Sequence, residues 1–209
     1  MTEHTHGRLA WPAPEELDDE RRSVYDAIVG GPRAADVAAS PIMAADGRLE
    51  GPFNSMLVSP AVGKALQSLG SAIRYQTQLT DRARELAILA VAAHHRSEFE
   101  WSAHERLARA AGLGDETLAD VRSGRRPAHL VEAEDVIWSA VRSMLVSGDL
   151  DDDEYGRVEA SIGQVAVVEL IVLVGYYQTL ALLLRTLRVP VPATMKMMFS
   201  DWPETGGEE

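Results

Sequence analysis

A run of twenty residues, 165–184, constrains the fold of this chain more than any other feature. Nearly all of its residues are apolar, and its length is about that of a helix that crosses a bilayer. The run also contains Glu169 and Gln178, and it lacks the aromatic belt and the asymmetric basic loops that flank membrane helices. No second run of this kind accompanies it. The run therefore predicts a helix buried in a protein core or at a subunit interface, and no membrane partner.

Helical spacing of apolar residues recurs along the rest of the chain, and no alternating strand pattern persists. Pro60 suits the first turn of one helix, Thr80 suits the N-cap of the next, and Pro190 ends the last. The sequence therefore predicts an all-α protein, with helices over residues 15–29, 60–75, 81–94, 97–111, 115–123, 130–146, 151–162 and 165–187.

These helices are predicted to form one domain with an arm at each end. Residues 1–14 are expected to drape over a neighbour or to be loosely ordered, and the methionine-rich residues 195–198 to pack on a partner subunit. Weakly similar sequences near Arg82 and Glu132, about fifty residues apart, suggest two helical half-repeats. The predicted divisions are an N-terminal arm and helix, a helical domain and a C-terminal arm, over residues 1–35, 36–190 and 191–209.

The composition argues against several classes of function. The chain has no cysteine, which excludes disulfides, thiolate metal sites and a thiol nucleophile. Its formal net charge is −12, from 20 basic and 32 acidic residues, and no basic stripe is present. Nucleic-acid binding needs clustered Lys and Arg, so it is not expected. The N-terminal residues contain no apolar signal core, which predicts a cytoplasmic protein.

Polar side chains interrupt the apolar faces of two neighbouring predicted helices. Glu85 lies on or beside the buried stripe of the first helix. In the next helix Ser97, Glu100 and His104 follow at spacings of three and four and continue a stripe that is apolar further on. A short turn between the helices would make them antiparallel. The four polar groups are then expected to converge in one half-buried pocket.

Such a pocket has the components of acid–base catalysis. A carboxylate that is turned inward loses solvation, which raises its pKa unless a cation or hydrogen bonds hold the charge. A neighbouring imidazole titrates near neutrality and can exchange a proton with it. The alternative of hydrogen-bonded core residues without function stays open. A metal site is a further alternative, because Glu100 and His104 are one turn apart with His94 and His95 nearby, but no recognised His-rich motif is present and no metal is predicted.

The same two helices resemble a known family. The stretch from Leu79-Thr-Asp-Arg-Ala-Arg-Glu85 through Glu98-Phe-Glu-Trp-Ser-Ala-His104 ends in Ala108-Arg-Ala-Ala-Gly112. It resembles the carboxymuconolactone decarboxylase family of the alkylhydroperoxidase D-like superfamily. The resemblance extends more loosely over most of residues 50–180. It implies an alkylhydroperoxidase D-like helical bundle that assembles as a homo-oligomer.

In the alkylhydroperoxidase branch of that superfamily, the motif is a Glu, eleven residues, Cys-x-x-Cys, three residues and a His. This chain resembles the motif at Glu85 and His104, which keep the spacing, while Ser97 and Glu100 stand at the two cysteine positions. Disulfide-cycling peroxidase chemistry needs a thiolate. The resemblance therefore supports the fold and argues against that activity.

The decarboxylase branch implies cofactor-free chemistry on a small lactone that carries carboxylates. By resemblance, His104 would protonate or hydrogen-bond an enolate, Glu85 would orient His104, and Glu100 would be an acid or base beside them. The expected substrate-binding residues are Ser97, Arg74, Arg82, Arg84 and Tyr177. The guanidinium group of an arginine would bind a substrate carboxylate through two parallel hydrogen bonds.

An ionised Glu100 would repel an anionic substrate, so proton-transfer isomerisation and lactone opening stay open beside decarboxylation. A non-catalytic binding or regulatory module of the same fold is the second function considered. Peroxide reduction without cysteine is the third, and it would need a redox group that the sequence does not show.

Overall fold

Eight α-helices make up most of the described part of the chain. The computed structural model describes residues 5–32, 42–193 and 195–199 of 209. The predicted all-α fold is confirmed. The helices are α1 (Asp19–Val29), α2 (Pro52–Val58), α3 (Pro60–Tyr75), α4 (Asp81–His95), α5 (Glu98–Ala110), α6 (Asp115–Arg122), α7 (Glu132–Ser147) and α8 (Asp152–Thr186).

Helix α4 lies at the centre of the bundle, in contact with α5, α6, α7 and α8. The Thr80 hydroxyl caps it by accepting a hydrogen bond of 3.2 Å from the Ala83 amide. Nine of its residues are buried, and Glu85 is the one ionisable side chain among them. A helix that is apolar on all sides belongs inside a core. The carboxylate of Glu85 is therefore carried into the interior by the packing of its neighbours.

A tight turn after α4 places α5 against it. Arg96 ends α4 in the left-handed conformation, with φ at 53°, and its amide still bonds to Ala93 O. The Ser97 amide bonds to Ala92 O at 2.8 Å, and α5 starts at the next residue. Because the chain reverses within so few residues, the first half of α5 faces α4.

Helix α8 is divided by Gly163, whose φ of 80° and ψ of 156° are not helical. The predicted separate helices over residues 151–162 and 165–187 therefore meet at this break. Asp151 caps the first segment by accepting a 2.7 Å hydrogen bond from the Glu154 amide. Among the described residues, α8 is the one helix long and apolar enough to span a bilayer. Half of its most apolar stretch of 18 residues is buried in the bundle.

Two details near the N-terminus differ from the prediction. The first helix begins at Asp19 because Asp18 accepts a hydrogen bond of 2.9 Å from the Arg21 amide and caps it there. No helix was predicted over residues 52–58, where Pro52 is the first residue of α2. A proline suits that position, since its missing N–H would have no partner in the helix.

The N-terminal arm packs on its own chain. Strands β1 (Thr5–His6) and β2 (Leu9–Ala10) form a small antiparallel hairpin. Asn54 Nδ2 donates to Ala10 O at 3.0 Å, and Trp11 Nε1 donates to Leu49 O at 2.8 Å. The expectation of a loosely ordered arm is therefore wrong for its described part, because these side-chain donors fix its backbone.

The described end of the C-terminal arm also packs on its own chain. Glu98, which is fully buried, accepts hydrogen bonds from the backbone amides of Met198, at 2.7 Å, and Phe199. The Phe199 ring meets the edge of Trp101 at a centroid distance of 5.7 Å. These contacts lie within one chain, and the expected contact of residues 195–198 with a partner subunit stays a prediction. Residues 200–209 lie outside the described part.

The close approach of α2 and α3 gives a stability prediction. A Cβ at Gly63 would overlap the carbonyl oxygen of Met56, which belongs to rigid helix backbone. We expect Gly63→Ala to lower the free energy of unfolding by about 2 kcal/mol or more. Gly156→Ala is the matched control, since nothing lies within 4 Å of its added methyl group, and it should raise stability by roughly 0.5–1 kcal/mol. Urea unfolding of both variants checks this, and equal effects would contradict the assigned contact.

Candidate active site

Glu85 and His104 form a buried hydrogen-bonded pair between α4 and α5. Glu85 Oε2 lies 2.7 Å from His104 Nδ1, and the two residues are 2% and 7% exposed. The other oxygen, Glu85 Oε1, lies 3.6 Å from Arg84 Nε. An ionised carboxylate can only accept a hydrogen bond. Nδ1 of His104 therefore carries the proton, and Nε2 is the nitrogen left for a ligand.

Glu100 lies one helical turn before His104 in a different environment. The residue is 2% exposed, and neither of its carboxyl oxygens has a hydrogen-bond partner within the described residues. Burial raises the pKa of Glu100 from about 4.5 to about 8. The nearby Ser97 hydroxyl offsets part of that rise, although it makes no well-formed hydrogen bond. At neutral pH Glu100 is therefore a protonated carboxylic acid and a hydrogen-bond donor.

A small cavity of about 50 Å³ joins these groups. Its polar members are Arg74, Glu100 and His104. The Tyr177 ring meets the His104 ring edge to face, at a centroid distance of 5.1 Å. The remaining lining is apolar, from Ile42, Pro52, Phe53, Phe99, Ala103, Leu107, Tyr176 and Leu180. Few polar groups in an apolar cavity are typical of small-molecule sites.

A larger open groove of about 450 Å³ adjoins the cavity. Arg74 and Leu107 line both of them, so the groove and the cavity share a wall. Arg84 and Glu85 also line the groove. The Glu85–His104 pair therefore has its carboxylate on the groove side and its imidazole on the cavity side. The Arg74 guanidinium also lies over the Tyr75 ring, 5.3 Å from its centroid.

The structure brings most of the predicted residues together. Glu100, His104, Arg74 and Tyr177 line the cavity. Ser97 is buried at the start of α5 beside Glu100, and Glu85 and Arg84 lie behind His104. Within the described residues, no group of three His, Asp or Glu side chains is placed to hold a metal ion.

Ser97 and Arg84 do not line the cavity, and Arg82 lines neither the cavity nor the groove. The Nε of Arg82 lies 2.6 Å from Glu134 Oε1, and its guanidinium also donates to Gly112 O. Glu134 is only 5% exposed, and a buried carboxylate needs a cation of this kind. Arg82 therefore ties α4 to α7 and does not reach the cavity.

The sequence did not single out several aromatic residues of the cavity. Phe53 lies on α2, a helix that was not predicted. Phe99 lies between Ser97 and Glu100, the two positions where the motif has cysteine. This place in the motif was the sequence signal that Phe99 could line the site. Tyr176 lies next to Tyr177 on α8, and both line the cavity. These side chains make the site apolar, which is what raises the pKa of Glu100.

Comparison with known proteins finds a matching family over part of the chain. Residues 60–143 match the carboxymuconolactone decarboxylase family, a segment that contains Glu85, Glu100 and His104. This segment of the chain is therefore similar to that family. No curated protein matches the chain significantly.

Solved structures share the fold at low sequence identity. A peroxidase-related protein from Ralstonia eutropha with an alkylhydroperoxidase AhpD core is 14% identical, has a TM-score of 0.70, and covers 90% of this chain and 93% of its own. An Agrobacterium tumefaciens protein of unknown function, described as a candidate AhpD antioxidant defence protein, is 19% identical with a TM-score of 0.60 over 68% of this chain and 99% of its own. The debrominase Bmp8, crystallised with 2,3,4-tribromopyrrole, is 11% identical with a TM-score of 0.63 over 84% and 87%.

The protonated state of Glu100 predicts an effect on stability. Because its folded pKa is raised, folding takes up a proton between about pH 4.5 and 8, so this residue lowers stability progressively as the pH rises through that window. Glu100→Gln keeps the shape of the acid and cannot ionise. We expect it to raise the free energy of unfolding by about 2–3 kcal/mol at pH 7 and by less than about 1 kcal/mol at pH 5.

Urea unfolding at the two pH values measures this difference. Glu116→Gln is the matched control, because that carboxylate is 86% exposed and its removal should change little at either pH. A Glu100→Gln variant that is no more stable than the native chain at pH 7 would mean that Glu100 is ionised in the folded protein.

Proposed function

We propose that this protein is a cofactor-free acid–base enzyme that acts on a small carboxylated lactone or related cyclic acid in the cytoplasm, by decarboxylation or proton-transfer isomerisation. The observation that carries the proposal is the pairing of two proton-handling units at one apolar cavity. One unit is the Glu85–His104 pair, and the other is the protonated Glu100. A proton acceptor and a proton donor in one site are what such reactions require.

In this proposal His104 removes or returns a proton through Nε2. Its Nδ1–H remains bound to Glu85, which holds the ring in one orientation and stabilises the imidazolium that forms. The Tyr177 ring packs against the imidazole and limits its rotation. Glu85 is therefore a positioning residue in the sense that it acts through His104.

Glu100 serves as the acid. It is neutral below about pH 8, so it does not repel an anionic substrate, which removes the difficulty that the sequence raised. Its proton can pass to the substrate as negative charge moves onto a ring carbonyl or carbon. In a decarboxylation the bond to the carboxylate carbon breaks, its electron pair enters the conjugated ring system, and this proton neutralises the resulting carbanion.

Arg74 is the proposed anchor for a substrate carboxylate. Its guanidinium lines both the cavity and the groove, and it can bind a carboxylate through two parallel hydrogen bonds. The aromatic side chains Phe53 and Phe99 suit a flat ring. The debrominase of this fold binds a small halogenated aromatic ring, which supports a planar ligand of that size.

Loss of either residue of the Glu85–His104 pair should slow turnover strongly. The first assay screens unsaturated five- and six-membered lactones and cyclic acids that carry a carboxylate. On any substrate found, we expect His104→Ala and Glu85→Gln to reduce kcat about 10²- to 10⁴-fold with folding intact. His129→Ala is the matched control, since that imidazole is 75% exposed and away from the cavity. Unchanged turnover in both site variants would refute the assignment, and binding without turnover in the native protein would favour a binding module.

The raised pKa of Glu100 gives the reaction a defined pH dependence. If Glu100 donates a proton, kcat/KM should fall about tenfold for each pH unit above about pH 8. Glu100→Gln should lose most of the activity and the fall above pH 8 together. A rate that rises through pH 8 would instead make Glu100 a base and would contradict its proposed role.

A further inference from the structure

The Phe99 ring forms a wall between the small cavity and a second apolar cluster. Phe99 lies in the first turn of α5, directly before Glu100, and it lines the cavity. It also packs with Leu184, near the end of α8, and with Val189, which follows that helix. All three apolar side chains are buried. The cavity therefore ends at this ring, which limits how far a ligand can extend past Glu100.

Gly51 supports the tip of the Phe99 ring. A Cβ at Gly51 would overlap the Cζ, Cε1 and Cε2 atoms of that ring, so the ring tip lies directly against the Gly51 backbone. Gly51 is the N-cap of α2, and its φ of 57° and ψ of −137° are a conformation that suits glycine. The ring cannot move further in this direction, because backbone stands in its way.

The backbone next to Phe99 is fixed as well. Glu98 is fully buried and accepts hydrogen bonds from the amides of Met198, at 2.7 Å, and Phe199. Met195 of the same C-terminal arm packs against the cluster behind the ring. Close packing of this kind resists displacement, since a shift of one side chain disturbs all its neighbours. Phe99 is therefore a rigid wall that a ligand cannot simply push aside.

The volume of the cavity indicates what this wall excludes. The cavity measures about 50 Å³, whereas an apolar cavity that binds benzene measures about 150 Å³. A whole six-membered ring therefore does not fit between Phe99 and the polar groups of Glu100 and His104. Only one edge of a cyclic ligand can enter, and the rest of it would lie toward the adjoining groove of about 450 Å³.

We propose that Phe99 is the specificity-determining residue of this site and excludes bulky substituents from the ligand edge that reaches Glu100. The size limit follows from the cavity alone. The substrate class rests on the proposed function, within which it is narrowed to lactones and cyclic acids that carry no alkyl or phenyl group at the reacting edge.

Benzene tests the size limit without any reaction. Phe99→Ala vacates the space of one benzene ring, so benzene should bind to this variant and not to the native chain. Nitrogen-15 NMR of the His104 imidazole reports where it binds, and we expect its signals to shift in Phe99→Ala. Phe199→Ala is the matched control, because Phe199 is also buried but packs on Trp101 and does not line the cavity. Benzene should leave the His104 signals of that control unchanged.

A second variant and a folding measurement keep this test decisive. Phe99→Leu retains more of the buried contacts and should show the same shift at higher benzene concentration. If Phe99→Ala does not fold alone, benzene should restore its far-UV circular dichroism, since a ligand that binds only the folded state stabilises it. Benzene that shifts the His104 signals in the native chain, or in neither Phe99 variant, would overturn the proposal.

A substrate series tests the specificity itself. On any lactone or cyclic acid that is turned over, an added methyl group at the reacting edge should lower kcat/KM of the native chain about 10- to 200-fold. Phe99→Ala should remove most of that loss. An equal loss in both proteins would refute the role of Phe99 and leave the proposed function intact. The benzene shift in Phe99→Ala without turnover of any such compound would instead refute the proposed function and support the size limit.

Discussion

The hydrogen bond between Glu85 and His104 depends on the burial of helix α4, and the rest of the site is arranged around it. Residues 86–93 of helix α4 are all apolar and Glu85 directly precedes them, so burying this stretch also encloses that carboxylate. The carboxylate is tolerated because His104 and Arg84 contact its two oxygens. The turn at Arg96 and Ser97 then fixes how α5 lies on α4, and with it the position of the imidazole.

The first turn of α5 contains two buried glutamates in contrasting environments. Glu98 accepts hydrogen bonds from the backbone amides of Met198 and Phe199, which belong to the C-terminal arm. Glu100 has no hydrogen-bond partner within the described residues and faces an apolar cavity. The first carboxylate thus anchors the chain end to the helix, while the second has its pKa raised by burial alone. Glu98 therefore has a structural role, whereas the raised pKa of Glu100 keeps it protonated at neutral pH.

Periodicity was sufficient to predict most of the helices and the convergence of Glu85, Glu100 and His104, because helical spacing fixes which side chains share a face. It could not predict α2, because Gly51-Pro52 is equally compatible with a turn and with a helix start. It also could not place Arg82, since its partner Glu134 is fifty-two residues away and the pairing depends on how α7 docks. The cavity's apolar lining comes from four separate segments, and only their packing shows that Glu100 lacks a partner.

The protonation state of Glu100 is the most direct test of the central claim, which is that a neutral carboxylic acid lies in the same cavity as the Glu85–His104 pair. Infrared difference spectra between the native chain and Glu100→Gln isolate the carbonyl stretch of a protonated carboxylic acid as the pH is raised from 5 to 10. We predict that this band is present at pH 7 and disappears with a midpoint near pH 8. A midpoint near pH 4.5, with an ionised carboxylate at neutral pH, would contradict the claim.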